Sequence, residues 1–144
     1  MDGSCRATSP AAFDWNPWVG MPFESLGQGS HDFFCWYLVR AILREAKGIL
    51  LPSFSELNRT PIATQTGQLL DAHYGTYGFG PVPVAEAQPF DVLVFRSTPG
   101  SVHVGVVVSR GKFLHGGRGL DSCIERYTAV QWRHRIIGLY RYHR

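Results

Sequence analysis

Between Phe90 and Tyr142 the chain carries five short runs rich in β-branched and apolar residues, separated by turn-like breaks. They span Val92–Arg96, Val102–Val108, Lys112–Gly116, Ser122–Tyr127 and Ile136–Tyr142. Runs of this length and composition are strands, and strands so closely spaced pair antiparallel. A sheet of this kind has to bury a face, and the first half of the chain is the only material that can cover it. The expected class is therefore α+β, with helices first and sheet second.

The covering element is His31 to Gly48 (HDFFCWYLVRAILREAKG). Cys35, Leu38, Val39, Ile42 and Ala46 recur at the three- and four-residue steps of one helical face. Arg40, Arg44 and Lys47 take other positions, and Gly48 is a stop signal. Asp32 stands where its carboxylate can cap the first turn. The Cys35 thiol then points at the protein body from the positive end of a helix dipole, a field that favours thiolate over thiol. A cysteine on an apolar stripe also reads as a small buried hydrophobe, so the second half of the chain has to decide.

The remaining segments organise around these two halves. Residues 1–14 read as a loose N-terminal arm and 15–144 as a single domain, the size expected of a chain of 144 residues. Trp15 to Phe23 is an aromatic, turn-rich lead-in, and Leu26 to Ser30 a Gly/Ser loop. Pro61 to Tyr74 can form a second helix through Ile62, Leu69, Leu70 and Tyr74, and Gly75 to Pro89 is too broken by Gly and Pro for regular structure. A net charge of +3, with only a modest arginine cluster at Arg133, Arg135, Arg141 and Arg144, argues against nucleic acid as a partner. No apolar run approaches the ~18 residues of a membrane span, and the first residues lack the basic and apolar regions of a secretory signal. Cys5, Cys35 and Cys123 make no disulfide framework, which fits a reduced compartment and one working thiol.

His103 and His115 lie in strand-like runs, each six residues from Ser109. A hairpin centred on Ser109 sets them directly opposite one another; in any case their even spacing lets them share a face. A cysteine at a helix start supplies a nucleophile, one imidazole a base, and the other a group that fixes the base's tautomer. No paired short spacing of His and Cys ligands occurs among His31, Cys35, His103, His115 and Cys123, so no metal is expected.

At these residues the chain resembles the NlpC-type cell-wall cysteine endopeptidases of the papain-like superfamily. The resemblance runs from Trp15 to Arg141. It rests on Trp18-Val19-Gly20-Met21-Pro22-Phe23, Cys35-Trp36-Tyr37-Leu38-Val39, Pro89-Phe90-Asp91-Val92-Leu93-Val94-Phe95, His103-Val104-Gly105 and Gly111-Lys112-Phe113-Leu114-His115. It implies Cys35 as nucleophile, His103 as base and His115 as its orienter, with Phe34, Trp36, Tyr37, Trp18 and His31 as candidates for the substrate cleft. It implies the papain-like NlpC-type fold, N-terminal helices packed on a C-terminal antiparallel, partly curled sheet, and no cofactor. The implied reaction is hydrolysis of an amide in peptidoglycan stem peptides, commonly between D-glutamate and a diamino acid, through a thioester acyl-enzyme.

The closing segment Trp132 to Arg141 resembles the short members found with bacteriophage tail genes. That resemblance implies a virion protein assembled in the host cytoplasm, with tail-tip or baseplate proteins as partners, no membrane insertion, and a role in genome delivery through the envelope. Three positions depart from the family pattern: Phe34 replaces an aspartate, while Tyr37 and Phe90 replace glycines. They carry an alternative, a catalytically weak or inactive structural component of a tail tip.

Overall fold

The structure, a computed structural model, describes residues 13–22, 34–51, 74–96, 102–117 and 119–143. His31, the Asp32 cap, the Gly/Ser loop and the expected helix up to residue 73 lie outside them, as does the Phe34 side chain.

A 3-10 turn at Asn16–Trp18 precedes helix α1, Phe34–Lys47. The strands are β1 (Phe79–Pro81), β2 (Val92–Arg96), β3 (Val102–Ser109), β4 (Lys112–Gly117), β5 (Leu120–Arg126) and β6 (Ile136–Tyr142), with a 3-10 turn at Val84–Glu86 and a short helix α2, Val130–Arg133, before β6. They form one antiparallel sheet in the order β1-β6-β2-β3-β4-β5. The α+β class and the expected strands are found. The connector after Gly75 corrects expectation: Phe79–Pro81 pairs with the end of β6 and forms the sheet edge. That position tolerates Pro81 because an edge strand has one side free of the ladder. No helix among the described residues is long and apolar enough to cross a membrane.

Strand alternation sorts the core into two layers. Val92, Val94, Val102, Val104, Val106, Leu114 and Tyr140 pack with Leu38, Val39 and Ile42 of α1. Leu93, Phe95, Val107, Phe113 and Leu139 build the other layer with Tyr127, and Trp132 packs against it. Both faces are covered, which is why β2 and β3 read as near-continuous apolar runs. At the end of α1, Gly48 adopts φ 69 and donates its amide to the Arg44 carbonyl at 3.0 Å, the left-handed stop that glycine supplies without steric cost.

The lead-in is tied to the sheet at β5. The Gly20 amide donates to the Ser122 carbonyl at 2.7 Å, Ser122 returns its amide to the Met21 carbonyl at 3.0 Å, and the Ser122 hydroxyl donates to the Trp18 carbonyl at 2.6 Å. Packing begins within the expected loose arm, since Phe13 meets Trp15 and Phe90 edge-on at 4.8 and 5.3 Å.

Phe90, in place of a glycine, keeps a left-handed backbone at φ 77. Its ring stacks on Trp15 at 5.3 Å and lies 5.1 Å under the Lys47 ammonium. The turn leads into Asp91, 1% exposed, whose carboxylate accepts the Gln88 amide at 2.9 Å and two Arg141 hydrogen bonds at 2.9 Å.

Candidate active site

Cys35 is the second residue of α1 and is 4% exposed, packed with the helix-side layer, whereas His103, paired across from Phe95, and His115, stacked on Phe113, stand on the other face of the sheet, so the sulfur and the two rings are not in contact. Tyr74, 2% exposed, stacks on Tyr140 at 4.7 Å. Its phenol pKa is pushed well above the usual value, first by burial and then by the charge Cys35 carries once its thiol ionises.

The two histidines come from the β3–β4 hairpin. Its register sets Val106 opposite Leu114 and Val107 opposite Phe113, with the irregularity at the turn confined to Ser109. Continued along the ladder, this places His103 across from Gly117 and His115 across from Gly105. The rings are therefore diagonal neighbours on one face, not directly opposite as a hairpin centred on Ser109 would set them. Even spacing keeps them together, and His103 Nε2 lies 2.8 Å from His115 Nδ1. Gly105 makes room for this arrangement. A Cβ there would stand 2.6 Å from the Phe113 ring, and that ring stacks on His115 at 4.4 Å.

Two further side chains complete the row. His115 Nε2 lies 2.7 Å from Glu125 Oε2, and Trp132 donates its indole N–H to Glu125 Oε1 at 2.9 Å. Trp132 also stacks on His103 at 5.7 Å, so one indole holds both ends of the row. An ionised carboxylate only accepts, which fixes the protons along the chain. His115 donates from Nε2, its Nδ1 accepts from His103 Nε2, and His103 is left with a bare Nδ1. The sequence reading gives neither Glu125 nor Trp132 a role in the site. The available signal was Cys123-x-Glu125 on a strand facing His115, which needs the β4–β5 register to be seen.

Electrostatics keep the pair neutral. Burial, the neighbouring His115 and Arg135 together bring the His103 pKa down to about 3, against a smaller opposing effect of Glu125. Burial also lowers His115, outweighing the hydrogen bond and charge of Glu125. Burial works to raise Glu125, but hydrogen bonds from Trp132 and His115 hold its pKa below the ordinary carboxylate value. Cys123 lies 3.6 Å from that carboxylate, and burial together with this charge pushes its thiol up to about 11.

The cleft candidates separate. Tyr37 is exposed and lines a cavity of about 400 Å³ with Trp18, Arg40, Arg44 and Leu50. It sits two residues past Cys35, on the other side of the helix, so its bulk is directed away from the thiol's face. Trp36 is 1% exposed and belongs to the core, not to an open cleft.

No curated protein matches the chain. Among solved structures it is similar to a lipoprotein-like NLP/P60 family protein from Staphylococcus aureus subsp. aureus Mu50, with a TM-score of 0.59 and 23% identity over 95% of this chain. The chain spans 45% of the length of that structure, and the likeness at this identity is one of fold. The sequence itself matches the NlpC/P60 family over residues 20–141, a span that takes in Cys35, both histidines and Glu125, and the chain belongs to that family.

Proposed function

We propose that this chain is a cysteine endopeptidase that hydrolyses peptide bonds of peptidoglycan stem peptides. The family supports a cell-wall hydrolase function in general. The observation that carries the finer reading is the ordered row Glu125–His115–His103, which leaves a bare Nδ1 on a neutral imidazole. In the proposed reaction that nitrogen takes the Cys35 proton as the sulfur attacks the scissile carbonyl, a step that requires the thiol to leave the helix-side layer it packs with and reach the His103 ring on the side of Phe95 and Trp132. The resulting imidazolium returns the proton to the departing amine as the C–N bond breaks, leaving a thioester. Water then gives a proton to the same nitrogen and its oxygen to the acyl carbon, which frees the carboxylate and restores the thiol. The low His103 pKa keeps its imidazole neutral at rest, so His103 acts as a general base and not as a preformed cation.

The phage-tail setting, with tail-tip or baseplate partners, belongs to the same proposal and is supported by the resemblance of Trp132 to Arg141 to short tail-encoded members. The outward direction of Tyr37 supports the enzyme reading over an inactive tail part. Digestion of purified peptidoglycan and free stem peptides, read by mass spectrometry, tests it. The wild type is expected to create a new amino terminus that Cys35→Ala does not. No product, together with a Cys35 that iodoacetamide leaves unmodified in the folded chain, refutes it.

A further inference from the structure

The row that carries His115 holds a second set of ligating atoms. Strands β4 and β5 pair so that His115 faces Cys123 directly, and Glu125 projects from the same row two residues on. Cys123 Sγ lies 3.9 Å from His115 Nε2 and 3.6 Å from Glu125 Oε2, and the nitrogen and oxygen are 2.7 Å apart. A tetrahedral zinc-like ion, with sulfur at about 2.3 Å and nitrogen and oxygen at about 2.0–2.1 Å, spaces its ligand atoms about 3.3–3.6 Å from one another. Both sulfur edges are close to that spacing. The nitrogen–oxygen edge has to widen by about half an ångström, the change expected when an ion replaces the proton shared between His115 and Glu125.

The surroundings suit such an ion. His115 is buried with no exposed side-chain surface, whereas the Glu125 side chain is 29% exposed and Cys123 half-buried, so a cation can arrive from solvent and keep a water as fourth ligand. Thiolate and carboxylate together cancel a double positive charge, so the occupied site buries no net charge. The ligands stand on adjacent paired strands, which removes most of the ordering cost of assembling them. The Trp132 indole holds Glu125 Oε1 and leaves Oε2 to turn toward the ion.

We propose that His115 Nε2, Cys123 Sγ and Glu125 Oε2 form a binding site for a zinc-type divalent cation, and that the bound ion switches the histidine relay off. The proton inventory closes. Cys123 releases its thiol proton to solvent, one per ion. His115, ligated through Nε2, carries its proton on Nδ1 and donates it to His103 Nε2. His103 then carries its own proton on Nδ1, the nitrogen that has to be bare for Cys35. The switch rests on the catalytic reading above; the site itself does not.

The chain with Cys5→Ser and Cys35→Ala keeps Cys123 as its only thiol. Titrated with Co²⁺ it is expected to develop a thiolate-to-cobalt charge-transfer band at one ion per chain and micromolar concentration, removed by competing Zn²⁺, with one proton released. Adding Cys123→Ser should abolish the band and weaken Zn²⁺ binding by about a hundred-fold or more, since even groups one shell beyond a ligand are worth 10–100-fold. In ¹⁵N spectra of the wild type, Zn²⁺ should move the His115 proton from Nε2 to Nδ1. Absence of the band, a band that needs millimolar ion, or a His115 Nε2 that keeps its proton overturns the site. If the ion binds as described and leaves stem-peptide cleavage at its metal-free rate, the switch is overturned and the site stands. A chain with no cleavage activity fails the catalytic reading alone, because the spectroscopic outcomes use no substrate.

Discussion

Replacing Glu125 by glutamine tests the relay at the point where its direction is set. The carboxylate accepts from two donors, His115 Nε2 at 2.7 Å and Trp132 Nε1 at 2.9 Å. A glutamine offers one acceptor and one donor, so the two N–H groups compete for a single oxygen. If the oxygen stays with Trp132, His115 faces an NH₂ group and has to accept at Nε2. Its proton then sits on Nδ1, His103 accepts at Nε2, and the base nitrogen is filled. If the oxygen turns to His115, the half-buried indole N–H loses its partner, at about 1–3 kcal/mol for an unsatisfied donor. In a serine-protease triad, neutralising the group that touches the base costs about 10⁴ in kcat through the wrong tautomer. Glu125 acts one ring further away, so the expected loss in kcat/KM is about 10- to 100-fold, or about 1.4–2.7 kcal/mol. The assay is stem-peptide cleavage by Glu125→Gln, paired with ¹⁵N spectra of both imidazoles and a thermal melt to show that the fold survives. Wild-type turnover with the protons still on both Nε2 atoms would refute the reasoning. So would a slow variant whose tautomers have not moved.

Phe90 should invert the usual order of alanine and glycine. Both Phe90→Ala and Phe90→Gly lose the ring that meets Trp15 and Phe13, but only glycine relaxes the backbone at φ 77, so the glycine variant should be the more stable by about 1 kcal/mol in urea melts. Equal stabilities would show that no strain is stored there. Acid should destabilise the fold through His103. Its pKa is about 3 when folded and ordinary when unfolded, so below about pH 6.5 the unfolded chain binds the extra proton and stability falls with pH. Between pH 7 and 5 this amounts to about 2 kcal/mol, read as a shift in urea midpoint that His103→Phe should reduce. A flat profile contradicts the neutral assignment of His103. At the other end of β2, Arg141→Met leaves the Asp91 carboxylate buried with only the Gln88 amide, whereas Asp91→Asn leaves a guanidinium that is 29% exposed. The arginine variant should therefore lose more, up to about 3 kcal/mol, and the reverse order would place the energy in the backbone turn and not in the ion pair.

What the sequence made legible follows from which interactions are local. Strand alternation and the helical stripe are set by nearest neighbours, so the strands and the helix face that covers them could be read directly, and the shared face of His103 and His115 followed from even spacing alone, whereas the second layer around Phe95 and Phe113 came only with the structure. Their diagonal offset depends on where the hairpin turns, and the turn at Arg110–Gly111, with Gly111 at φ 91, moves the register that a centre at Ser109 would give. The edge strand at Phe79–Pro81 carries little propensity of its own and exists because β6 offers it a ladder. Glu125 was hidden for the same reason. Its neighbours in sequence mark it as one more polar strand residue, and only the pairing of β4 with β5 brings it to His115. The proposed metal site depends on the same non-local step, since its ligands are brought together across the sheet and a search for short ligand spacings runs along the chain. A base whose proton is placed by a carboxylate two strands away gains direction from the sheet's rigidity, and it is exposed to anything that competes for that carboxylate. The proposed relay and the proposed metal site are thus two consequences of one arrangement, since the atoms that hold the His115 proton in place are the atoms best set to exchange it for an ion.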